Sequence, residues 1–284
     1  MNFKSFFTHF GLLLIFLVIF GVALSLGFQP STEMLILFIV GFSAQLIDGA
    51  LGMGFGMIST ASLLGFGMNP AIISSSVHTA EIFSSAVSGI SHHRNGNVNK
   101  KLFLSLLIPG MIGAIVGASL LVIASDFNLE LLKIIIACYT MLLGARLIYL
   151  FIKRQSKNGL QYLRSNNPKI KPLALVGGFL DSFGGGGWGP VVTSTLVGNG
   201  HEPRYAIGSV NSAEFFIALA SSATFFIALG TQNWAIIIAL VCGGVTAAPI
   251  AAKITKKTTA SALLLLVGVL VIIWSFYTIL KIVL

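Results

Sequence analysis

Two matched sets of polar side chains stand inside segments otherwise too apolar to tolerate them. Asp48, Ser76, His78 and Glu81 form the first, and Asp181, Ser209, Asn211 and Glu214 the second. They belong to a stretch that occurs twice, residues 48–88 aligning without a gap on 181–221. The copies also share Gly52/Gly185, Gly54/Gly187, Gly56/Gly189, Thr60/Thr193, Gly65/Gly198 and Pro70/Pro203. In each copy the Asp is followed by a glycine cluster that opens a new apolar segment. Small residues let backbone N–H groups approach a ligand, and a helix start carries free N–H groups and a partial positive charge. Two such starts facing each other make a site for a small oxyanion without any buried Lys or Arg. The competing use of the same glycines is close packing of membrane helices.

The side chains around the glycines admit further chemistry. Asp48 and Asp181 stand where a capping carboxylate would precede a helix, or where a proton or cation is handled. Glu81 and Glu214 lie in apolar helices, where a carboxylate is expensive and marks function. They either carry a coupling proton or hold the glycine loops by accepting backbone N–H groups. His78 and Glu81 are three residues apart and share a helix face, as do Asn211 and Glu214. Protonated His and neutral Asn both donate to oxyanions, and a structural bond between helices is the alternative for each. The expected substrate-binding set is therefore Gly52, Gly54, Gly56, Ser76, His78, Gly185, Gly187, Gly189, Ser209 and Asn211. Asp48, Glu81, Asp181 and Glu214 are its coupling or structural carboxylates.

Positioning these residues is the task of the apolar segments. Full-length helices are expected at 6–28, 71–92, 101–124, 129–152, 204–229, 234–253 and 259–283. Regions 34–64 and 173–197 are apolar but broken by an Asp and glycines, so each either crosses once, kinked, or enters and turns back. The distribution of basic residues separates the two. With both regions re-entrant, fourteen Lys and Arg residues fall on the cytoplasmic side and Lys281 alone outside, with Lys133 and Arg146 within helices. With both regions crossing, the split is five against ten. Each repeat then holds one hairpin and three crossings, an odd number, which inverts the second repeat relative to the first. The expected architecture is an all-α integral membrane protein, an inverted-topology repeat transporter with seven transmembrane helices plus two re-entrant helical hairpins. Residues 1–30 form an N-terminal transmembrane helix with its N-terminus cytoplasmic, 31–152 the first repeat, 153–171 a basic cytoplasmic linker and 172–284 the second repeat. Within helices, Lys133 is expected to pair with Glu130, and Arg146 to reach toward the basic linker.

Composition narrows the function classes. Hydrophobic residues make up 56% of the 284 and charged residues 9%, with a mean hydropathy of +0.95, which excludes a soluble domain. The net charge of +9 sits in short loops between apolar segments, where it sets topology and meets anionic lipid rather than nucleic acid. The apolar run after Lys4 is longer than a signal-peptide core and reads as a retained helix. Cys138 and Cys242 lie deep in apolar segments without metal spacing and read as small packing residues. No cofactor and no metal are expected, and catalysis is not, because the polar candidates lie in mirrored halves without an activated nucleophile. The expected partners are a small anion and membrane lipids, with a homodimer left open.

The duplicated Asp-glycine hairpins, the helices "SVHTAE" and "SVNSAE" after them and the basic central linker resemble the TauE/SafE sulfite exporter family, over residues 35–284. That resemblance implies an inner-membrane permease moving sulfur-containing anions, such as sulfite or sulfoacetate, outward. An anion channel, or a cation-coupled carrier of another small organic anion, remains the alternative. Trp188 stands where the first copy has Phe55, either shaping a pocket for an organic tail or packing against neighbouring helices.

Overall fold

The computed structural model describes residues 32–51, 53–155, 169–230, 233–254 and 260–284. The expected helix at 6–28, linker residues 156–168 and Gly52 lie outside them. Among the described residues all regular structure is helical. The first broken region forms α1 (Thr32–Leu51) and α2 (Phe55–Gly65), followed by α3 (Pro70–Arg94), α4 (Lys100–Phe127) and α5 (Leu129–Gln155). The second forms α6 (Ile170–Gly184), a π-helical turn (Gly189–Thr193) and α7 (Ser194–Gly198). It is followed by α8 (Pro203–Leu229), α9 (Trp234–Ile254) and α10 (Ala260–Val283).

Four helices begin in the same way. Asn69, Asn99, Asn128 and Asn233 each turn a side-chain oxygen onto amides of the first turn, at 2.8 Å to Ala71, 3.1 Å to Leu102, 2.9 Å to Leu131 and 3.4 Å to Ile236. Asn is among the better residues for this, since it satisfies donors the helix cannot pair internally. Pro70 and Pro203 open α3 and α8, where a missing N–H costs nothing.

Packing exchanges elements between the halves. α1 lies against α9 and α6 against α4, so each hairpin's first arm rests on a helix of the other copy or its counterpart. α3 crosses α8, and α5 packs on α10. Small residues set these distances. Gly113 and Gly117 admit the Leu175 and Phe179 carbonyls, Gly243 admits that of Phe38, and a Cβ on Gly144 would sit 2.9 Å from the Gly268 carbonyl.

On α4 the outward residues Leu104, Ile108, Ile112, Val116, Leu120 and Ile123 are exposed, while Leu106, Gly110, Gly113, Gly117 and Leu121 are buried. An exposed stripe this apolar suits lipid, and the helical period separates it from the core face. Four described helical stretches are long and apolar enough to cross a membrane: Lys100–Phe127, Leu129–Lys153, Pro203–Leu229 and Leu264–Val283. The protein is a multi-pass, all-α membrane protein. α3 falls outside that group because its interior carries Ser74, Ser75, Ser76, His78, Thr79, Glu81 and Ser85, all buried.

Candidate functional site

Both breaks are built by one device. α1 continues past Asp48 to Leu51, and α6 continues past Asp181 to Gly184, so neither Asp ends its helix. Instead each carboxylate reaches forward over the break. Asp48 accepts the backbone N–H of Phe55, the first residue of α2. Asp181 Oδ1 accepts the N–H of Trp188, which opens the second arm, at 2.8 Å. The offset is seven residues in both copies, so the expected capping role is met from the turn behind. Gly54 turns the first break at φ 130°, and Gly186 turns the second at φ 149°, a region L side chains avoid.

The tips touch. Thr60 on α2 donates its hydroxyl to the Gly185 carbonyl. A Cβ on Gly56 would stand 2.9 Å from Gly186 Cα, and one on Gly186 would strike the Met57 backbone. Tyr139 of α5 donates to the Gly186 carbonyl at 3.1 Å, its ring lying over Gly184 and its hydroxyl beside Gly187. Glycines 56, 185 and 186 thus supply close packing between hairpins, the plainer of their two expected uses. Gly189 opens the π-helical turn, with Pro190 after it.

α3 and α8 cross beside the tips and bring the carboxylates together. Glu81 accepts the N–H of Gly56, and its Oε2 is buried without a partner. His78 is fully buried between Ser74 and Asp181: Nδ1 lies 2.7 Å from the Ser74 carbonyl and Nε2 lies 3.2 Å from Asp181 Oδ2. A carbonyl only accepts, so Nδ1 carries a proton. One further proton then lies between Nε2 and Asp181, on either atom, and the pair is neutral in both arrangements. Donor atoms of His78, Glu81 and Asp181 all lie within 4.8 Å of one another. Both imidazole nitrogens are engaged, one by Ser74 and one by Asp181, and Glu81 stands beside that pair without a bond to it.

Around Asp48 the arrangement differs. Asn211 donates from Nδ2 to Ser88 Oγ at 3.0 Å and leaves Oδ1 buried without a partner. Asp48, Phe55, Glu81, Ser84, Ser85, Ser88, Asn211 and Glu214 line a cavity of about 10 Å³, the room of a single water. Ser85 also lines a wider groove of about 620 Å³ between α3, α4 and α8 that leads to His93, Arg94 and Lys100.

The Ser76 hydroxyl is buried and unpartnered. Ser209 spends its hydroxyl on Asn99, whose N–H it accepts at 2.9 Å, and so ties α8 to the turn before α4. Lys133 reaches the Gly67 carbonyl at 2.7 Å rather than Glu130, and Lys281 lies 3.5 Å from the Gly65 carbonyl. Two cations therefore attend the C-terminus of α2, where the helix dipole favours them. Arg146 donates to Ser194 and Thr195 on α7 instead of reaching to the linker. Trp188 is fully buried and donates to the Val210 carbonyl at 3.1 Å, a packing role. Tyr139 and Ser74 were not expected at the site. Their counterparts at the repeat offset are Ile272 and Ile207, so duplication carried no signal for them.

The model of the sulfite exporter TauE/SafE family matches residues 37–278, from within α1 to within α10 and across both glycine-rich breaks. The chain belongs to that family. This TauE/SafE chain is also 40% identical to the probable membrane transporter protein YtnM of Bacillus subtilis (strain 168), over 246 residues covering 85% of the chain and 81% of the relative. No solved structure matches it.

Proposed function

We propose that this protein is a secondary transporter that exports small sulfur-containing anions, sulfite or organosulfonates such as sulfoacetate, across the inner membrane. The observation that carries the reading is the occupancy of the hairpin tips. Three amides at the starts of the second arms, those of Phe55, Gly56 and Trp188, each face a carboxylate from Asp48, Glu81 or Asp181. Donors that hold the chain's own oxyanions suit an incoming one of similar size. Asn211 flanks them as a side-chain donor, and His78, with both ring nitrogens engaged, holds Asp181 in place. The description of the family supports sulfite and its relatives as the substrate class, and the name of the Bacillus relative supports transport.

The two breaks are read as re-entrant hairpins entering from opposite faces, within inverted repeats of residues 31–152 and 172–284. Movement of one repeat against the other then exposes the tips alternately. Single cysteines placed in turns 65–69 and 198–200 should label from opposite sides of the membrane. Labelling from the same side would end the inverted arrangement.

The functional test is efflux from proteoliposomes loaded with sulfite or sulfoacetate. Wild-type protein should give saturable efflux. Asn211→Ala should lower it by about tenfold or more, the worth of one hydrogen bond to an anion, and His78→Ala by a similar factor because Asp181 loses its partner, with membrane yield unchanged. Non-saturating conductance would indicate a channel, and wild-type flux from both variants would remove these side chains from the site.

A further inference from the structure

We infer that transport is proton–anion symport, with Glu81 taking up one proton whenever a substrate oxyanion displaces it from the Gly56 amide. The inference rests on the oxyanion reading above and adds the coupling ion and its carrier. Its first support is competition for donors. Substrate cannot take the Gly56 N–H while ionised Glu81 holds it, and the released carboxylate loses its one backbone donor while its Oε2 is already buried and unpartnered. A buried carboxylate without hydrogen bonds is too costly to stay ionised.

The second support is charge. The groups facing Glu81 are His78 on its own helix, Asp48 from α1, Asp181 from α6 and Glu214 from α8. Tyr139 of α5 faces Asp181. α2 has no charged residue, and α9 has none before Lys253. His78 is the only cationic group among these described residues, and it is matched by Asp181 in a neutral pair. An arriving anion would therefore join Asp48, Glu81 and Glu214 with no free positive charge, and like charges this close do not all remain ionised. The His78–Asp181 pair cannot take the proton without breaking one of its two bonds. Glu81 Oε2 can, and the proton bound there leaves Oε1 a weaker acceptor, which hands Gly56 to the substrate. The water-sized cavity at Ser84, Ser85 and Ser88 lies beside Glu81, and Ser85 also lines the groove that leads to the basic residues. On release of the anion the proton leaves to water and Glu81 recaptures Gly56.

The test uses the purified full chain and ethanesulfonate, whose own charge is constant near neutral pH. Calorimetric titration in buffers of different ionisation enthalpy should report one proton taken up per anion bound. Affinity should weaken about tenfold for each unit of rising pH, the slope of one linked proton. Glu81→Gln, which carries no titrating proton, should bind with no proton uptake and no slope. Ethanesulfonate binding to wild type without proton uptake would overturn the symport inference and leave the oxyanion site standing, as would full proton uptake by Glu81→Gln. Absence of binding by both ethanesulfonate and sulfite would overturn the site itself and the inference with it. The wild-type measurement decides even if the variant does not fold.

Discussion

The two glycine-rich breaks share one sequence pattern and are packed differently. At the second, Trp188 fills the space beside Asp181, with Ile217 and Ala218 completely or almost completely buried nearby, and His78 closes the carboxylate off. At the first, the equivalent positions are Phe55, Ser84 and Ser85, Asn211 replaces His78, and a water-sized polar cavity remains. The second tip is fixed by the His78–Asp181 pair. The first keeps unpartnered polar atoms, Glu81 Oε2 and Asn211 Oδ1, beside its cavity. Duplication gave both tips their capping Asp and glycines, and side-chain volume around them decided which one stays open.

The strongest way to break this comparison is at the turning glycines. Gly186→Ala adds a Cβ into the Met57 backbone at φ 149° and should cost more than about 4 kcal/mol, seen as loss of a folded fraction on gel filtration. Gly54→Ala meets only ordinary contacts, the nearest at 3.6 Å, so it should cost only the strain of its φ of 130°, about 1–3 kcal/mol, read as a lower Tm in detergent. Equal losses at both would mean the tips are equally tight.

A smaller effect sharpens the contrast. Trp188→Phe gives the second tip the first tip's residue, losing the bond to Val210 and leaving a void, and should cost about 2 kcal/mol by thermal unfolding. The smallest effect concerns the far end of α2, which alone is attended by two lysines. Lys133→Gln should lower stability by about 0.5 kcal/mol, less in high salt, because an exposed charge at a helix end is screened.

Much of the site was legible because membranes make polar residues expensive. Asp48, His78, Glu81, Asp181 and Glu214 stood out as side chains that apolar helices do not carry without use, and the repeat offset paired them. The helix limits followed from the same contrast, within a few residues. What could not be read were partners. A capping position is legible for Asp48 and Asp181, but not that α1 and α6 run on past them and that each carboxylate reaches across the break. Ser209 was assigned to the site by its match to Ser76, yet it bonds Asn99. Tyr139 and Ser74, which hold Gly186 and His78, lie where the repeats have diverged.

Composition and the matched stretches 48–88 and 181–221 already mark an all-α membrane protein and name the residues of its glycine-rich breaks. Hydrophobicity and repetition are properties of the linear chain, so they survive without coordinates. Only the tertiary structure decided that the tips touch, that His78 shares its proton with Asp181 and that Glu81 holds Gly56. Those are contacts between residues 25 to 125 positions apart, set by how α3 and α8 cross, and helical periodicity has no memory over such distances.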